Sequence, residues 1–416
     1  MLDIKFIREN KIEVENAIKF KKIKLDLKKL LLVDEKRREL LKLEEELNIE
    51  KNKTAKLGKD GITEGKRIKN DLHKLSPKLE RINKEFTDLM YLVPNPPAKD
   101  VPRGRNEEDN IVIRKVSGIK LQVSDKEIKD HAYLGRTLDI IDTEQAGVTS
   151  GSRFSYFKNE MVLMQFALIN WIMDILLKEN FIPIIPPVIE KMDVARGTGY
   201  FEALMDDAYH LKDEDSILVG TSEQSVVPYE MGRTLALGDL PKRYLGYSSC
   251  FRREAGSYGK DVTGIIRQHQ FDKLEMVSFS TPENSDKEHE KLLAIEEKIM
   301  KELKLPYQVV KMCSGDLGLP AVRKYDIEAW IPSQKKYRET HSVSSCTDFQ
   351  SRRLNIKFRN KDNKLEYVHI LNGTAIAMGR TLVAIMENYQ QPDGSVAVPK
   401  VLHKYVSFKQ IKAKNK

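Results

Sequence analysis

Arginine grips phosphate well because its planar guanidinium donates paired hydrogen bonds to two oxygens. Three arginines of this chain stand where regular structure would hold them. Arg252 and Arg267 flank a glycine-rich, charged loop inside the run Cys250 to Met276, one where a strand ends and one where a strand begins again. Arg380 lies in the run His369 to Tyr389, where a strand pattern passes into a helix at Gly379-Arg380 and the start of the helix also favours anions. Phe271, four residues after Arg267, offers a flat face for a purine. In the same returning strand Leu274 and Met276 should face one way, and Lys273 and Glu275 the other. Two further polar clusters accompany these. Tyr337-Arg-Glu-Thr-His-Ser342 puts Glu339 near hydroxyls, a set suited to a hard cation such as Mg²⁺, although taken alone a surface ion pair accounts for it better. Val219-Gly-Thr-Ser-Glu-Gln224 gathers hydroxyl and carboxylate groups, although Thr and Ser before Glu also cap helices. No GxxxxGK[ST] phosphate loop and no HExxH metal motif occur, so other common routes to phosphate and metal chemistry find no support.

The elements that must position these groups differ between two regions. Up to about residue 93 the chain is rich in Lys, Glu and Leu and has no proline before Pro77. Leu72, Leu75, Leu79, Ile82, Phe86 and Leu89 recur at alternating steps of three and four, a heptad seam, and Val33, Leu40, Leu43 and Leu47 give a shorter one upstream. Gly58-Lys-Asp-Gly61 between them signals a turn, so the pattern predicts an antiparallel helical hairpin, with a kink or a displaced break at Pro77. Near its tip Lys51, Lys53, Lys56, Lys66, Arg67 and Lys69 crowd together with few acids among them. They form either an ordinary solvated helix surface or a grip for a phosphate backbone. A proline-rich junction, Pro94 to Pro102, and an acidic stretch up to Asp109 separate the hairpin from the rest. The expected domains are therefore an arm over residues 1–105 and a catalytic domain over residues 106–416. In the second, short alternating strands such as Tyr325 to Ile331 do not alternate regularly with helices, which predicts an α+β fold on an antiparallel sheet with flanking helices.

Bulk properties agree. The 416 residues carry a net charge of +9, which suits a polyanionic partner or simply a well-solvated surface. Cys250, Cys313 and Cys346 are few, odd in number and far apart, so no disulfide framework or zinc ribbon is expected, and a reducing cytoplasm fits. The apolar stretch Met161 to Leu177 is interrupted by Gln165, Asn170 and Asp174 and reads as a packed helix, not a membrane span.

The runs Cys250 to Met276 and His369 to Tyr389 resemble motifs 2 and 3 of the class II aminoacyl-tRNA synthetases, and Phe181 to Pro187 resembles their motif 1. More narrowly, FRREAGSYGKD with IRQHQFDKLEM, YRET with TDFQSRR, and LNG with GRTLVAIMENYQ resemble the seryl-tRNA synthetases, as do the helical arm and its proline-rich exit. The likeness runs over nearly the whole chain. It implies activation of serine by ATP, with Mg²⁺, and transfer to serine tRNA through its long variable arm, the selenocysteine tRNA being an open further acceptor. It also implies a homodimer in the cytoplasm, free of membrane. By position, it gives Arg252, Glu275 and Arg380 catalytic roles. Arg252, Glu254, Arg267, Phe271, Glu339 and Arg380 match ATP-binding positions. Thr221, Glu223, Arg252, Glu275, Asn372 and Thr374 match the serine pocket, and Glu339 and Ser342 the metal ligands. The arm lysines and Arg67 match the tRNA grip. Departures from the family pattern are Ser222 for a common alanine, Arg253 for a serine, and the run His341 to Cys346, where Ser342 aligns by its spacing from Glu339. Rival expectations are a class II relative loading a carrier protein, a synthetase for another amino acid, or a non-catalytic RNA-binding protein on the same fold.

Overall fold

The computed structural model describes residues 1–199, 206–255, 261 and 263–413. Two compact units are present, Met1–Pro96 and Pro97–Lys416. The change falls at Pro96, ahead of the expected residue 105, because the intervening residues bond into the second unit. The Ala98 amide donates to the Val322 carbonyl, the Ser314 amide to Pro102, and Asp100 pairs with Lys311 and Arg323.

In the first unit, two short helices, α1 (Ile4–Glu9) and α2 (Lys11–Phe20), precede the long pair α3 (Leu27–Ala55) and α4 (Ile62–Tyr91). Asp26 starts α3 by accepting the Lys28 and Lys29 amides, which would otherwise lack partners at a helix end. Gly58 turns the chain at φ 59°, and a methyl at Gly61 would lie 2.4 Å from the Thr54 carbonyl oxygen, so the two helices close tightly on a glycine. Leu75 and Leu79 are buried as the seam requires. Leu43, expected in the facing seam, is instead 44% exposed. The heptad step from Val33 reaches Arg37, Leu40, Glu44 and Leu47, so the seam is partly polar: Arg37 donates to Asn83 at 2.7 Å and lies over the Phe86 ring. The helix runs through Pro77 without a break.

The second unit is built on eight strands: β1 (Ile111–Val116), β2 (Phe181–Ile184), β3 (Lys242–Phe251), β4 (Gln270–Ser280), β5 (Tyr307–Lys311), β6 (Arg323–Ile331), β7 (Lys336–Ser345) and β8 (His369–Ala377). Their order across the sheet is β1-β5-β6-β7-β8-β4-β3-β2, antiparallel at every pairing except β2 with β3. Helices α5 (Glu160–Lys178), α6 (Ser285–Glu302) and α7 (Met378–Asn388) contribute to one core with Leu274, Met276, Tyr325 and Ile327 of the strands. The apolar helix α5 is long enough to cross a membrane by length and composition, but Met161, Met164, Leu168, Ile172 and Leu176 pack in that core. Leu382, Ile385, Met386 and Tyr389 also enter the core, as their spacing predicts.

Residues of opposite parity fill a second cluster, where Val277, Phe279 and Ile370 pack against Val226, Leu354 and Phe358. The stretch of strands beyond it carries polar side chains.

Outside the large sheet, Glu190 lies in a short strand paired with Ser216–Leu218. It is buried, and neither carboxylate oxygen has a hydrogen-bond partner among the described residues. Burial pushes its carboxyl from the ordinary 4.5 up to about 8. Between those values the folded chain keeps a proton that the unfolded chain has released, so stability falls as pH rises across the window. Glu190→Gln is expected to raise the melting temperature at about pH 8 and to leave it nearly unchanged at about pH 4. Equal shifts at both pH values in thermal melts would contradict this origin.

Candidate functional site

Strands alternate their side chains, so Glu339 and Ser342, three residues apart on β7, would ordinarily face opposite sides of the sheet. The register shows how they come together. His341 pairs with Ile327 and Glu339 with Glu328, leaving Thr340 as an extra residue on β7. This bulge re-aims the strand, and both Glu339 and Ser342 line the same two cavities. A second bulge does the same on β8. Leu274 pairs with Ile376 and Glu275 with Thr374, so Ala375 is extra, and Thr374 and Ala377 both reach the smaller cavity.

The larger cavity, about 250 Å³, is lined by Thr221, Glu223, Glu275 and Asn372 among others; the smaller, about 80 Å³, by Glu254, Arg267, Phe271, Thr374 and Arg380. Arg252, Lys273, Glu339 and Ser342 line both, so the two spaces meet at these four side chains. Every residue expected to bind a small substrate or a metal therefore lies in one connected site.

In the larger cavity the short helix Glu223–Val226 carries the Glu223 carboxylate inward. One Glu223 oxygen accepts the Asn372 amide at 2.9 Å and the Gln350 amide at 2.8 Å. Gln350 was not foreseen. It stands on a helix beyond the polar run after Glu339, and its reach back to Glu223 has no signature in spacing. Thr221 accepts the Glu223 amide at 3.3 Å, while Ser222, at the N-cap position, donates its hydroxyl to the Gly246 carbonyl instead of capping the helix. Glu275 accepts the Thr374 hydroxyl at 3.2 Å and pairs with Lys273 at 2.7 Å. Both Lys273 and Glu275 point to the cavity while Leu274 and Met276 are buried in the core, as the alternation predicts.

At the shared wall, Arg252 donates to the Gly220 carbonyl at 3.1 Å and lies over the Phe271 ring at 5.5 Å. Arg380 donates to the Glu339 carbonyl at 2.9 Å, to its carboxylate at 3.2 Å and to the Ile266 carbonyl at 3.3 Å. The Glu339 side chain is 42% exposed. Partial burial pushes its carboxyl up, but Lys324, Arg380 and Arg252 outweigh that and bring it down to about 2, so it is ionised across the neutral range. Lys324, also unforeseen, lines the larger cavity and pairs with Asp326 at 3.0 Å, while burial pushes the Asp326 carboxyl up to about 7. Arg267 pairs with Glu254, and Arg338 with Asp261. The residues at 256–260 and 262, part of the glycine-rich loop, lie outside the described set.

Whether a hard cation fits can be judged from the donors. Glu339 and Ser342 present two oxygens on one side of the strand, and no group of three His, Cys, Asp or Glu side chains able to hold a metal is found among the described residues. That set suits Mg²⁺, which keeps waters and takes phosphate oxygens beside one or two protein ligands.

On the arm, Lys51, Lys53, Lys56, Lys66 and Lys69 are exposed. Arg67 is exposed at 55% of its side chain but engaged with Glu50, Glu64 and Asp71.

The class II tRNA synthetase core domain (G, H, P, S and T) matches residues 209–389, and the seryl-tRNA synthetase N-terminal domain matches residues 1–97. The serine--tRNA ligase of Dictyoglomus turgidum is 42% identical over 427 residues, covering all of both chains. The crystal structure of seryl-tRNA synthetase from Pyrococcus horikoshii complexed with ATP superposes with a TM-score of 0.91 at 39% identity, covering all of both chains. The cytoplasmic serine-tRNA ligase of Naegleria fowleri in complex with AMP gives 0.86 at 30% identity, covering 100% of this chain and 99% of that one.

The Gly220–Gln224 loop is seated on β3 through Gly246, where a methyl would lie 2.8 Å from the Ser222 hydroxyl and 2.9 Å from Val226. Gly246→Ala should destabilise the fold by about 1–3 kcal/mol, the usual cost of overpacking. A urea midpoint equal to that of the parent would show that the loop does not sit there.

Proposed function

The chain belongs to the seryl-tRNA synthetase family, and on that premise we propose how its own residues activate serine with ATP and pass it to tRNA. The observation that carries the reading is the shared wall: a cavity with carboxylates and hydroxyls meets a cavity with arginines and a phenyl ring at Arg252, Lys273, Glu339 and Ser342. Serine occupies the larger space and ATP the smaller, so the serine carboxylate and the α-phosphate meet beside Arg252 and Lys273.

A serine carboxylate oxygen attacks the α-phosphorus. The new O–P bond forms as the bond from that phosphorus to the bridging oxygen breaks, and pyrophosphate leaves with the electron pair. Seryl-adenylate remains. In the second step the terminal ribose hydroxyl of tRNA attacks the seryl carbonyl, and AMP leaves. Such chemistry is mostly alignment and charge stabilisation. Arg252 holds the carboxylate and α-phosphate together, which suits a guanidinium placed on the common wall. Arg267 and Arg380 hold the outer phosphates, Glu254 the adenine end, and Phe271 stacks on the purine. Glu339 and Ser342 would hold Mg²⁺, which neutralises charge on the phosphates when bound. Glu275 receives the serine ammonium in place of Lys273. Thr221 and Asn372 with Glu223 surround the hydroxyl, and Thr374 completes the serine pocket by donating to Glu275. A pocket that pairs a substrate hydroxyl rejects a substrate lacking it, because its own buried groups are then left unpaired.

The arm, residues 1–105 in this proposal, grips the long variable arm of serine tRNA by shape and backbone charge through Lys51, Lys53, Lys56, Lys66 and Lys69, with Arg67 released from its acidic partners. Selenocysteine tRNA is a further acceptor if its variable arm is read in the same way. A homodimer completes the proposal. Leu163, Phe166 and Leu177 on α5 and Ile182 and Ile185 near β2 are about half or more exposed, an apolar surface that a second subunit would cover. A cytoplasmic setting suits three buried cysteines that form no disulfide among the described residues.

Arg252→Ala should abolish serine-dependent exchange between ATP and pyrophosphate; exchange at the parental rate would remove Arg252 from the chemistry. Deleting residues 35–85 should spare that exchange and eliminate tRNA charging. Charging that survives the deletion would assign the arm another task.

A further inference from the structure

His131 lies far upstream of every motif, yet it is buried at 5% exposure between α7 and the segment that returns from the glycine-rich loop. Its ring has two partners. Nδ1 is 2.9 Å from Oε1 of Glu387, and the amide of Ile265 donates to Nε2 at 3.2 Å. An amide N–H can only donate, so Nε2 must offer its lone pair. The ring proton then sits on Nδ1 and is donated to Glu387. Glu387 is itself fully buried and pinned, accepting the His131 backbone amide at 3.0 Å and the Ser333 amide at 2.9 Å. One tautomer is thereby selected, and the imidazole transmits the position of Glu387 to the Ile265 peptide.

The same stretch is tied to α7 a second time. Arg380, in the first turn of α7, donates to the Ile266 carbonyl at 3.3 Å. Glu387 is in the last turn, seven residues or roughly 10 Å further along the axis. Neighbouring peptide groups are thus anchored to the two ends of one helix, directly at the near end and through an imidazole at the far end. Gly264 makes room for it: its φ is 76°, and a methyl there would lie 2.0 Å from Nε2. The residues that follow, Ile265, Ile266, Arg267 and Gln268, all line the smaller cavity.

We propose that His131 is a positioning residue for ATP, holding the Ile265–Gln268 wall in register with α7 by accepting the Ile265 amide in a single tautomer. This rests on reading the smaller cavity as the ATP site. The role needs an acceptor aimed at Ile265, so a glutamine, whose carbonyl reaches towards the Nε2 position, should replace it in part, whereas an asparagine, which keeps only a donor towards Glu387, should not.

The test is steady-state serine-dependent ATP–pyrophosphate exchange by the full-length protein, with the parent as reference. His131→Asn is expected to raise the KM for ATP roughly tenfold, the size of one lost buried hydrogen bond, with the KM for serine within about twofold of the parent. His131→Gln should recover most of the ATP affinity. Gly264→Ala, which displaces the ring without touching Glu387, should raise the KM for ATP in the same direction. Equal behaviour of the Gln and Asn variants, or a parallel rise in both KM values, would overturn the proposal. So would an unchanged KM for ATP in the Gly264 variant. An unfolded His131→Asn protein beside a folded Gln variant with near-parental KM values would count for the acceptor role only if Gly264→Ala shows the ATP effect, and against it otherwise. Absence of exchange in the parent would instead strike at the ATP reading itself.

Discussion

Charge balance at one small junction governs the catalytic unit. Arg252, Arg380, Lys273 and Lys324 converge on Glu339, Glu275 and Asp326 where two cavities share a wall. Cations held this close together would repel one another and lose hydration unless carboxylates sat between them. Here three of the four have a carboxylate partner, Lys273 with Glu275, Lys324 with Asp326 and Arg380 with Glu339, and Arg252 donates to the Gly220 carbonyl. The arrangement suits a polyanion, because phosphates bound there would take over pairings that the carboxylates now supply. The pairing of Arg267 with Glu254 and of Arg338 with Asp261 extends the same logic outward.

Two bulges make that junction possible. A regular β7 would turn either Glu339 or Ser342 into the core, and a regular β8 would separate Thr374 from the Ala377 corner that leads to Arg380. An extra residue in each strand corrects the aim, and the core on the other side of the sheet supports the distortion with Leu274, Met276, Ile327 and Val343. The helix α7, with Arg380 in its first turn, lines the smaller cavity, while its last turn, through Glu387 and His131, steadies the Ile265–Gln268 wall.

Much of this was legible in residue types and spacing, and the reasons are physical. Alternation along β4 separated Lys273 and Glu275 from Leu274 and Met276, and the strand-to-helix passage at Gly379 placed Arg380 at a helix start. The heptad steps predicted the hairpin, though Leu43 proved exposed, since leucines abound on that helix and the seam passes through Arg37 and Glu44 instead. Pro77 did not break α4. Other features had no local signal. Bulges depend on the pairing of two distant strands. Gln350 and His131 act on partners far away in sequence, and only the fold brings them to Glu223 and Ile265, whereas Lys324 meets Asp326 two residues on along the same strand.

We propose that the two cavities form one site for joining serine to ATP and then to tRNA. Charging of bulk bacterial tRNA with each labelled amino acid in turn, in the presence of ATP and Mg²⁺, tests it most directly. Label carried into tRNA by serine and by no other amino acid is the predicted result. Efficient charging with a different amino acid, or adenylate formation with no tRNA charged under any condition, would contradict it.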